Sequence, residues 1–138
     1  MKELGFPIHL INLIKALYEN GKSRVRWGRN KSGQFVPRRG TRQGCLISPD
    51  LFNLMAELLM RLVLEGYEGG VQIGGRRLTN LRYADDIILI AGSASELQDL
   101  VARMQSASTE MGLRINVKKT AAMSMNTDVK PMVSIYDE

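Results

Sequence analysis

The sequence has little of the chemistry on which most disulfide and zinc sites depend. Its 138 residues include one cysteine, Cys45, and one histidine, His9. A single cysteine excludes an internal disulfide and a cysteine-rich zinc site, and a single histidine removes most histidine-based metal or proton-relay schemes. Any metal chemistry in this chain must therefore be carried by carboxylates.

Long apolar runs are also absent. The longest cover only a few residues, against roughly 20 for a membrane-spanning helix, and the N-terminus lacks the apolar stretch of a signal peptide. We therefore expect a soluble, intracellular protein without a membrane partner, in either nucleus or cytoplasm. A hydrophobic fraction of 44% over 138 residues can furnish one ordinary core. With no repeat and no long linker, one compact α+β unit is expected.

Acidic residues are missing from residues 22–42, which we call the basic segment. It holds eight of the 19 basic residues, and the rest of the chain carries 11 basic against 14 acidic residues. The net charge of +5 therefore comes from this segment. Concentrated positive charge attracts polyanions such as nucleic acid through phosphate contacts and counterion release. A basic loop that is merely solvated remains an alternative.

Periodicity predicts the structure around the basic segment. Pro7 and an apolar stripe that includes Leu13 and Leu17 predict a helix over residues 7–19. Alternating runs at 24–27 and 34–36, separated by a polar loop, predict a basic hairpin. The two aromatic residues of these runs could stack on bases, but we favour their anchoring the hairpin to the core: Trp27 and Phe35.

The second half of the chain alternates helices with short strands. We predict helices over 48–65 and 93–111, the latter opened by a capping box at Ser93, and strands over 71–73 and 113–117. The apolar stripe of the helix at 48–65 is expected to face the core: Leu51, Phe52, Met55, Leu58, Leu59, Leu62 and Val63.

An adjacent pair of carboxylates, Asp85 and Asp86, stands where a strand-like run begins. The apolar run 87–91 that follows predicts a strand buried on both faces, where ionised carboxylates are costly unless a partner offsets their desolvation. A hard cation such as Mg²⁺ takes carboxylate oxygens and leaves other positions to water and phosphates. The alternative is a solvated hairpin turn, since aspartate favours turns.

A further candidate is the loop 40–45, which has glycines near both ends and backbone donors between them. Gly44 would let the backbone approach a ligand closely, because no side chain stands in the way. Gln43 beside it has an open alternative, since a loop amide can simply satisfy its own turn.

Three segments in this order resemble reverse transcriptase motifs: 41–49 (TRQGCLISP), 83–86 (YADD) and 112–120 (GLRINVKKT). The residues of these motifs most resemble those of the reverse transcriptases of non-LTR (LINE-like) retrotransposons. The resemblance spans nearly the whole chain. It implies an α+β fold in which an antiparallel sheet is backed by helices, as part of the palm of the right-hand polymerase fold.

The resemblance also implies the chemistry of the site. It makes Asp85 the ligand of two catalytic Mg²⁺ ions and Asp86 the supporting second carboxylate. The implied substrates are an RNA template, a DNA primer and deoxynucleoside triphosphates. Lys119 matches the motif lysine that approaches the triphosphate, although Lys118 beside it could serve as well. The remaining implied contacts are with primer, nucleotide or template: Gln43, Gly44, Tyr83 and Ala84.

Some parts of the family's pattern are not found. No aspartate precedes Asp50, whereas the family has another catalytic aspartate in a strand before the first helix. We therefore expect residues 1–138 to be a partial reverse transcriptase domain, from the end of the fingers into the palm, without the N-terminal palm strand, most of the fingers and the thumb. Such a fragment is expected to be inactive alone and to expose unpaired strand edges.

Two hypotheses of function follow. The first is a fragment of an RNA-directed DNA polymerase that extends a primer 3′ end by two-metal catalysis. The second is a catalytically dead retrotransposon remnant that binds RNA or DNA through its basic residues. The sequence leaves the oligomeric state open. The candidate nucleic-acid-binding residues are Arg24, Arg26, Arg38, Arg39 and Arg42.

Overall fold

The computed structural model is a mixed structure of helices and short antiparallel hairpins, as the α+β prediction requires. It describes residues 1–19, 21–38, 40–42, 44–125 and 132–135. In this part of the chain the α-helices and strands are α1 (Ile8–Glu19), β1 (Arg26–Trp27), β2 (Asn30–Lys31), α2 (Ser48–Leu64), β3 (Val71–Ile73), β4 (Arg76–Leu78), β5 (Asn80–Tyr83), β6 (Asp86–Leu89) and α3 (Ala94–Glu110).

The chain divides into two compact units, Met1–Leu54 and Met55–Glu138. The division falls inside α2, whose apolar periodicity continues through it. The sequence therefore carries no change of composition at that point, which is why it predicts one unit where the structure has two.

In the first unit, fewer of the apolar side chains of α1 are shielded from solvent than the sequence predicts. Leu10, Ile14 and Tyr18 are half-buried, whereas Leu13 and Leu17 are 59% and 51% exposed. The hydroxyl of Tyr18 lies 3.0 Å from the Oγ atom of Ser48, which is the first residue of α2. Spacings of three and four place residues on one face of a helix, but they do not say where that face is centred.

The basic hairpin forms, but with a tighter turn than predicted. Arg26 pairs with Lys31 and Trp27 with Asn30, so the turn has two residues. Gly28 opens it at a φ of +60°, a conformation that glycine adopts without steric cost and that two-residue hairpins favour. The predicted second strand at 34–36 was wrong: its pairing is limited to one bridge between Phe35 and Ser23.

The core of the second unit lies between α2 and α3. The buried residues are Leu59, Met60 and Val63 of α2 and Leu100, Met104 and Ala107 of α3. Ala56 is buried as well, while Leu62, which the predicted stripe included, is 41% exposed. The strands do not form one sheet among the described residues, because each of β1–β2, β3–β4 and β5–β6 is a separate antiparallel pair.

The N-terminus of α3 ties two loops together. Ser93 accepts a hydrogen bond from the backbone nitrogen of Glu96 at 3.2 Å, as the predicted capping box requires. The carboxylate of Glu96 does not return to Ser93. It accepts from the backbone nitrogens of Gly92 at 3.0 Å and Gly70 at 3.3 Å. These bonds favour the ionised form and lower the pKa of Glu96.

The predicted strand over 113–117 was wrong. Leu113 and Ile115 do pack against the core, but the chain then forms a 3₁₀-helix at Val117–Lys119. The carbonyl of Asn116 accepts hydrogen bonds from the backbone nitrogens of Lys119 and Thr120, both at 3.0 Å. These local bonds take the place of a strand partner. The described helices include none that is long and apolar enough to cross a membrane.

Candidate active site

The paired aspartates lie at the turn of the β5–β6 hairpin. Tyr83 pairs with Asp86, so the turn consists of Ala84 and Asp85. Ala84 has a φ of +51° and is the one non-glycine residue of the described chain with a positive φ. An L-residue in this region is strained by contact of its Cβ atom with the backbone. The turn therefore holds the two carboxylates in a conformation that the rest of the hairpin must stabilise.

The strand that carries Asp86 is not buried on both faces, so that prediction was wrong. Ile87 and Leu89 pack against the core, whereas Ile88 is 59% exposed. Its cross-strand partner Leu81 is 49% exposed. Side chains alternate between the two faces of a strand, and only one face of this hairpin lies on the core. A continuous apolar run cannot reveal that difference.

Asp85 and Asp86 are exposed. Neither carboxylate has a hydrogen bond or an ion pair with any residue that the structure describes. Exposed, unpaired carboxylate oxygens are the donors that Mg²⁺ prefers, and water and phosphate oxygens commonly complete its coordination. Within the described ranges, no three His, Cys, Asp or Glu side chains come together to hold a metal ion. The turn thus fits part of a magnesium site.

An ion-pair network attaches β5 to helix α2. Arg82, next to the turn sequence, donates from Nη2 to Glu57 Oε2 at 3.0 Å. Its Nη1 atom lies 3.4 Å from the carbonyl of Ala56. Arg61 donates to the other oxygen of Glu57 at 3.1 Å. The hydrogen bonds from Arg61 and Arg82 lower the pKa of Glu57, because they favour its ionised form.

Sequence reasoning missed this attachment. Arg82 and Glu57 are 25 residues apart, and no spacing rule connects a strand residue to a helix residue at that distance. The available signal was a lone arginine preceding the turn in a strand that is otherwise uncharged up to Asp85. Such a residue requires a carboxylate or carbonyl partner if it faces the protein.

In the loop 40–45, Gly44 has a different structural role from the one that the sequence suggests. Gly44 has a φ of +79°, and a Cβ atom there would meet nothing within 4 Å. The structure therefore explains a glycine at position 44 by its positive φ and not by the close approach of another group. Gln43 lies outside the described residues. Hydrogen bonding with the hydroxyl of Ser48 is the main cause that lowers the pKa of Cys45.

Arg42 is engaged within its own unit. Its Nη2 atom donates to the carbonyl of Leu17 at 2.6 Å, and its guanidinium carbon lies 5.3 Å from the ring centroid of Tyr18. A cation at the last carbonyls of a helix is stabilising. A cavity of about 390 Å³ opens beside it, lined in part by Ser23 and Pro37. Arg42 thus stabilises the end of α1 and is exposed, and its role in nucleic-acid binding stays a prediction.

The other candidate residues are exposed. Arg24, Arg26 and Arg38 face solvent, and Arg39 lies outside the described residues. Lys119 is also exposed and belongs to a 3₁₀-helix instead of a strand end. Trp27 and Tyr83 are each 84% exposed. The interpretation of Trp27 as an anchor to the core was therefore wrong.

The strain at Ala84 gives a testable expectation for stability. Replacing Ala84 by glycine should raise the free energy of unfolding by about 0.5–1 kcal/mol, since the relief of left-handed strain exceeds the added chain entropy. Replacing it by valine should lower that free energy by about 1–2 kcal/mol, because a β-branched residue tolerates this conformation poorly. Urea denaturation followed by circular dichroism measures both changes.

Ala121→Val provides the matched control, since Ala121 is exposed and outside the helices and strands. It should change the free energy of unfolding by less than about 0.5 kcal/mol. If Ala84→Val lowered the free energy of unfolding no more than Ala121→Val does, the result would contradict strain in this turn.

Comparison with known proteins agrees with the resemblance. Residues 1–132 match the family described as "Reverse transcriptase (RNA-dependent DNA polymerase)". The chain is similar to a "Retrovirus-related Pol polyprotein from type-1 retrotransposable element R2" of Nasonia vitripennis, at 30% identity over 125 residues, which cover 91% of this chain and 12% of that protein.

Two further relatives also come from transposable elements. The chain is 27% identical over 137 residues to a "Retrovirus-related Pol polyprotein from type-2 retrotransposable element R2DM" of Drosophila melanogaster, covering 99% of this chain and 13% of the relative. It is 27% identical over 141 residues to "Transposon TX1 uncharacterized 149 kDa protein" of Xenopus laevis. The chain thus spans about an eighth of the R2 proteins. With 132 of its 138 residues matched, the chain belongs to the reverse transcriptase family and is most like the enzymes of non-LTR retrotransposons.

Proposed function

We propose that the chain is part of an RNA-directed DNA polymerase that adds deoxynucleotides to a DNA primer on an RNA template. The observation that carries this proposal is the β5–β6 turn, which presents Asp85 and Asp86 to solvent without a partner among the described residues. Carboxylate oxygens open to solvent are the ligands that a hard cation such as Mg²⁺ takes. In a member of this family, that cation serves phosphoryl transfer.

The residues of the turn would divide the work between them. Asp85 would hold the catalytic Mg²⁺ ions and Asp86 would support them as the second carboxylate. When bound, the metal supplies a lowered pKa for the primer 3′-hydroxyl and charge stabilisation for the leaving pyrophosphate. Tyr83, which is 84% exposed, and Ala84 would face the primer or the incoming nucleotide.

Residues outside the turn would position the nucleotide. Gln43 and Gly44 would line the nucleotide and template site. Lys119 would approach the triphosphate, where an ammonium group can neutralise or protonate the leaving group. Its exposure leaves the side chain available for that contact.

We propose further that the 138 residues alone do not polymerise. Two carboxylates on one turn supply few of the protein ligands that two magnesium ions need. No aspartate precedes Asp50 in these residues. By this proposal the remaining carboxylate and the rest of the palm are supplied by residues other than these 138.

Primer extension tests both parts of the proposal. The purified chain should not extend a primer on an RNA template with Mg²⁺. A chimaera in which the chain replaces the matching segment of the Nasonia vitripennis polyprotein should extend it, and extension should depend on Asp85. Extension by the isolated chain would overturn its proposed inactivity, and an inactive chimaera would count against the polymerase role.

The exposed basic segment favours a second function, which is the binding of RNA or DNA without catalysis. Arg24 and Arg38 are exposed and have no hydrogen bond or ion pair with other described residues. Cations in this state are available to phosphates, whose binding releases counterions.

Salt titration of binding tests this second function. Replacing Arg24 and Arg38 together by alanine should weaken binding to single-stranded nucleic acid about tenfold. It should also flatten the slope of log affinity against log salt by about 1.4, since each of the two lost phosphate contacts removes about 0.7. The matched control is the exposed pair Arg76 and Arg114, likewise replaced by alanine. Equal effects of the two double variants would rule out the basic segment as the binding surface.

A further inference from the structure

The β1–β2 hairpin exposes an aromatic face. Trp27 is 84% exposed and Val25 is 58% exposed. Alternate residues of a strand share a face, so both stand on the same side of β1. Trp27 pairs with Asn30, and the backbone nitrogen of Val25 bonds the hydroxyl of Ser32 at 2.9 Å. Large aromatic rings are normally packed into a core or an interface. This ring is therefore available to a ligand or a partner.

The rest of the hairpin is cationic. Arg26 and Lys31 are cross-strand partners, and Arg24 shares their face by the same alternation. The Nε atom of Arg26 donates to the carbonyl of Gly28 at 3.2 Å, which holds the guanidinium beside the turn that follows Trp27. No carboxylate occurs anywhere in the basic segment. These cations lie on the face of the hairpin opposite Trp27, and no acidic residue of the segment offsets the positive potential that they create around both faces.

We propose that Trp27 is a base-stacking residue for single-stranded nucleic acid whose phosphates are attracted by the positive charge of the basic segment, including Arg24, Arg26 and Lys31 on the other face of the hairpin. The proposal rests on the second proposed function and names its recognition element. Stacking of a base on an aromatic side chain strengthens binding independently of base sequence, and cations beside the ring bind the backbone. A duplex offers its phosphates but keeps its bases stacked inside.

Charge decides between this ligand and a second copy of the chain. Self-association through the aromatic face would bring two basic segments together, and juxtaposed like charges oppose binding. The exposed apolar side chains of this face are Trp27, Val25 and Phe35, the last of which is the bridge partner of Ser23 and is 48% exposed. Three side chains are little for a stable protein interface. A polyanion with flat apolar bases complements both the charge and the ring.

Single-tryptophan fluorescence and binding titrations test the proposal. Because Trp27 is the one tryptophan of the chain, its emission should be quenched when oligothymidylate of about twelve nucleotides binds. Trp27→Ala should weaken binding of the labelled oligonucleotide about tenfold and leave the salt slope unchanged, since stacking releases no counterions. Trp27→Phe should retain most of the affinity. Met123→Ala, at an equally exposed apolar side chain (81%), should have no effect.

The controls separate stacking from charge. An abasic strand with the same phosphates should bind the wild-type chain as weakly as the normal strand binds Trp27→Ala. Unchanged affinity of Trp27→Ala, unquenched emission or equal binding of the abasic strand would each overturn the stacking role. If replacing Arg24 and Arg38 nevertheless weakens binding, the second proposed function is supported and only the stacking role of Trp27 is rejected. A dimer in sedimentation that Trp27→Ala abolishes, with binding unchanged, would also overturn the proposal.

Discussion

Asp85→Asn should lower primer extension by the active chimaera by at least about 10³-fold, because a neutral amide loses the charge that holds a catalytic metal ion, a contribution of several kcal/mol. Asp86→Asn should cause a smaller loss. Both side chains are exposed and have no partner among the described residues. The isosteric changes should therefore leave folding intact, which circular dichroism would check.

The control for charge alone is Asp99→Asn. Asp99 pairs with Arg103 at 2.9 Å on the exposed surface of α3, an interaction worth little. Its replacement should leave extension within about twofold of wild type. Raising the Mg²⁺ concentration should restore part of the activity of Asp86→Asn. Wild-type rates for Asp85→Asn would show that the turn is not the metal site.

Leu100→Ala should lower the free energy of unfolding by about 2–5 kcal/mol, the cost of a cavity in a packed core. Leu100 is fully buried in the cluster formed by α2 and α3, against which Ile87 and Leu89 of β6 pack. Small domains are stable by only about 5–15 kcal/mol. The change should therefore also loosen the hairpin that carries the aspartates.

Leu62→Ala is the matched control, since it removes the same atoms from a side chain that is 41% exposed. Its cost should be below about 1.5 kcal/mol, because less apolar surface is lost from the core. Urea denaturation followed by circular dichroism gives both values. Equal losses for the two variants would contradict the core assigned here.

Local patterns predicted the positions of the helices well and the strand pairing of the basic hairpin less well. The structure confirms helices at the three predicted places and the capping role of Ser93, and it places Asp85 in the hairpin turn that the sequence offered as an alternative. These features depend on residues close in the chain, whose periodicity and turn preferences are visible in the sequence. The order of the three motifs likewise predicted the family that the comparison then confirmed.

Other features of the site were decided by contacts between distant residues. The same apolar pattern fits a strand with one buried face or two, and only the packing of Ile87 on the core, with Ile88 exposed, distinguishes them. The sequence alone does not distinguish the environments of Arg42 and Arg82. Their partners, the carbonyl of Leu17 and the carboxylate of Glu57, are 25 residues away from each.

The sequence by itself determined where the helices begin, which turn carries Asp85 and which family the chain belongs to, because each of these is written in neighbouring residues. The tertiary structure alone decided that Trp27 is exposed and that the run 113–117 is not a strand. Burial and strand pairing depend on what the rest of the chain places alongside a segment, and the segment's own residues do not encode it.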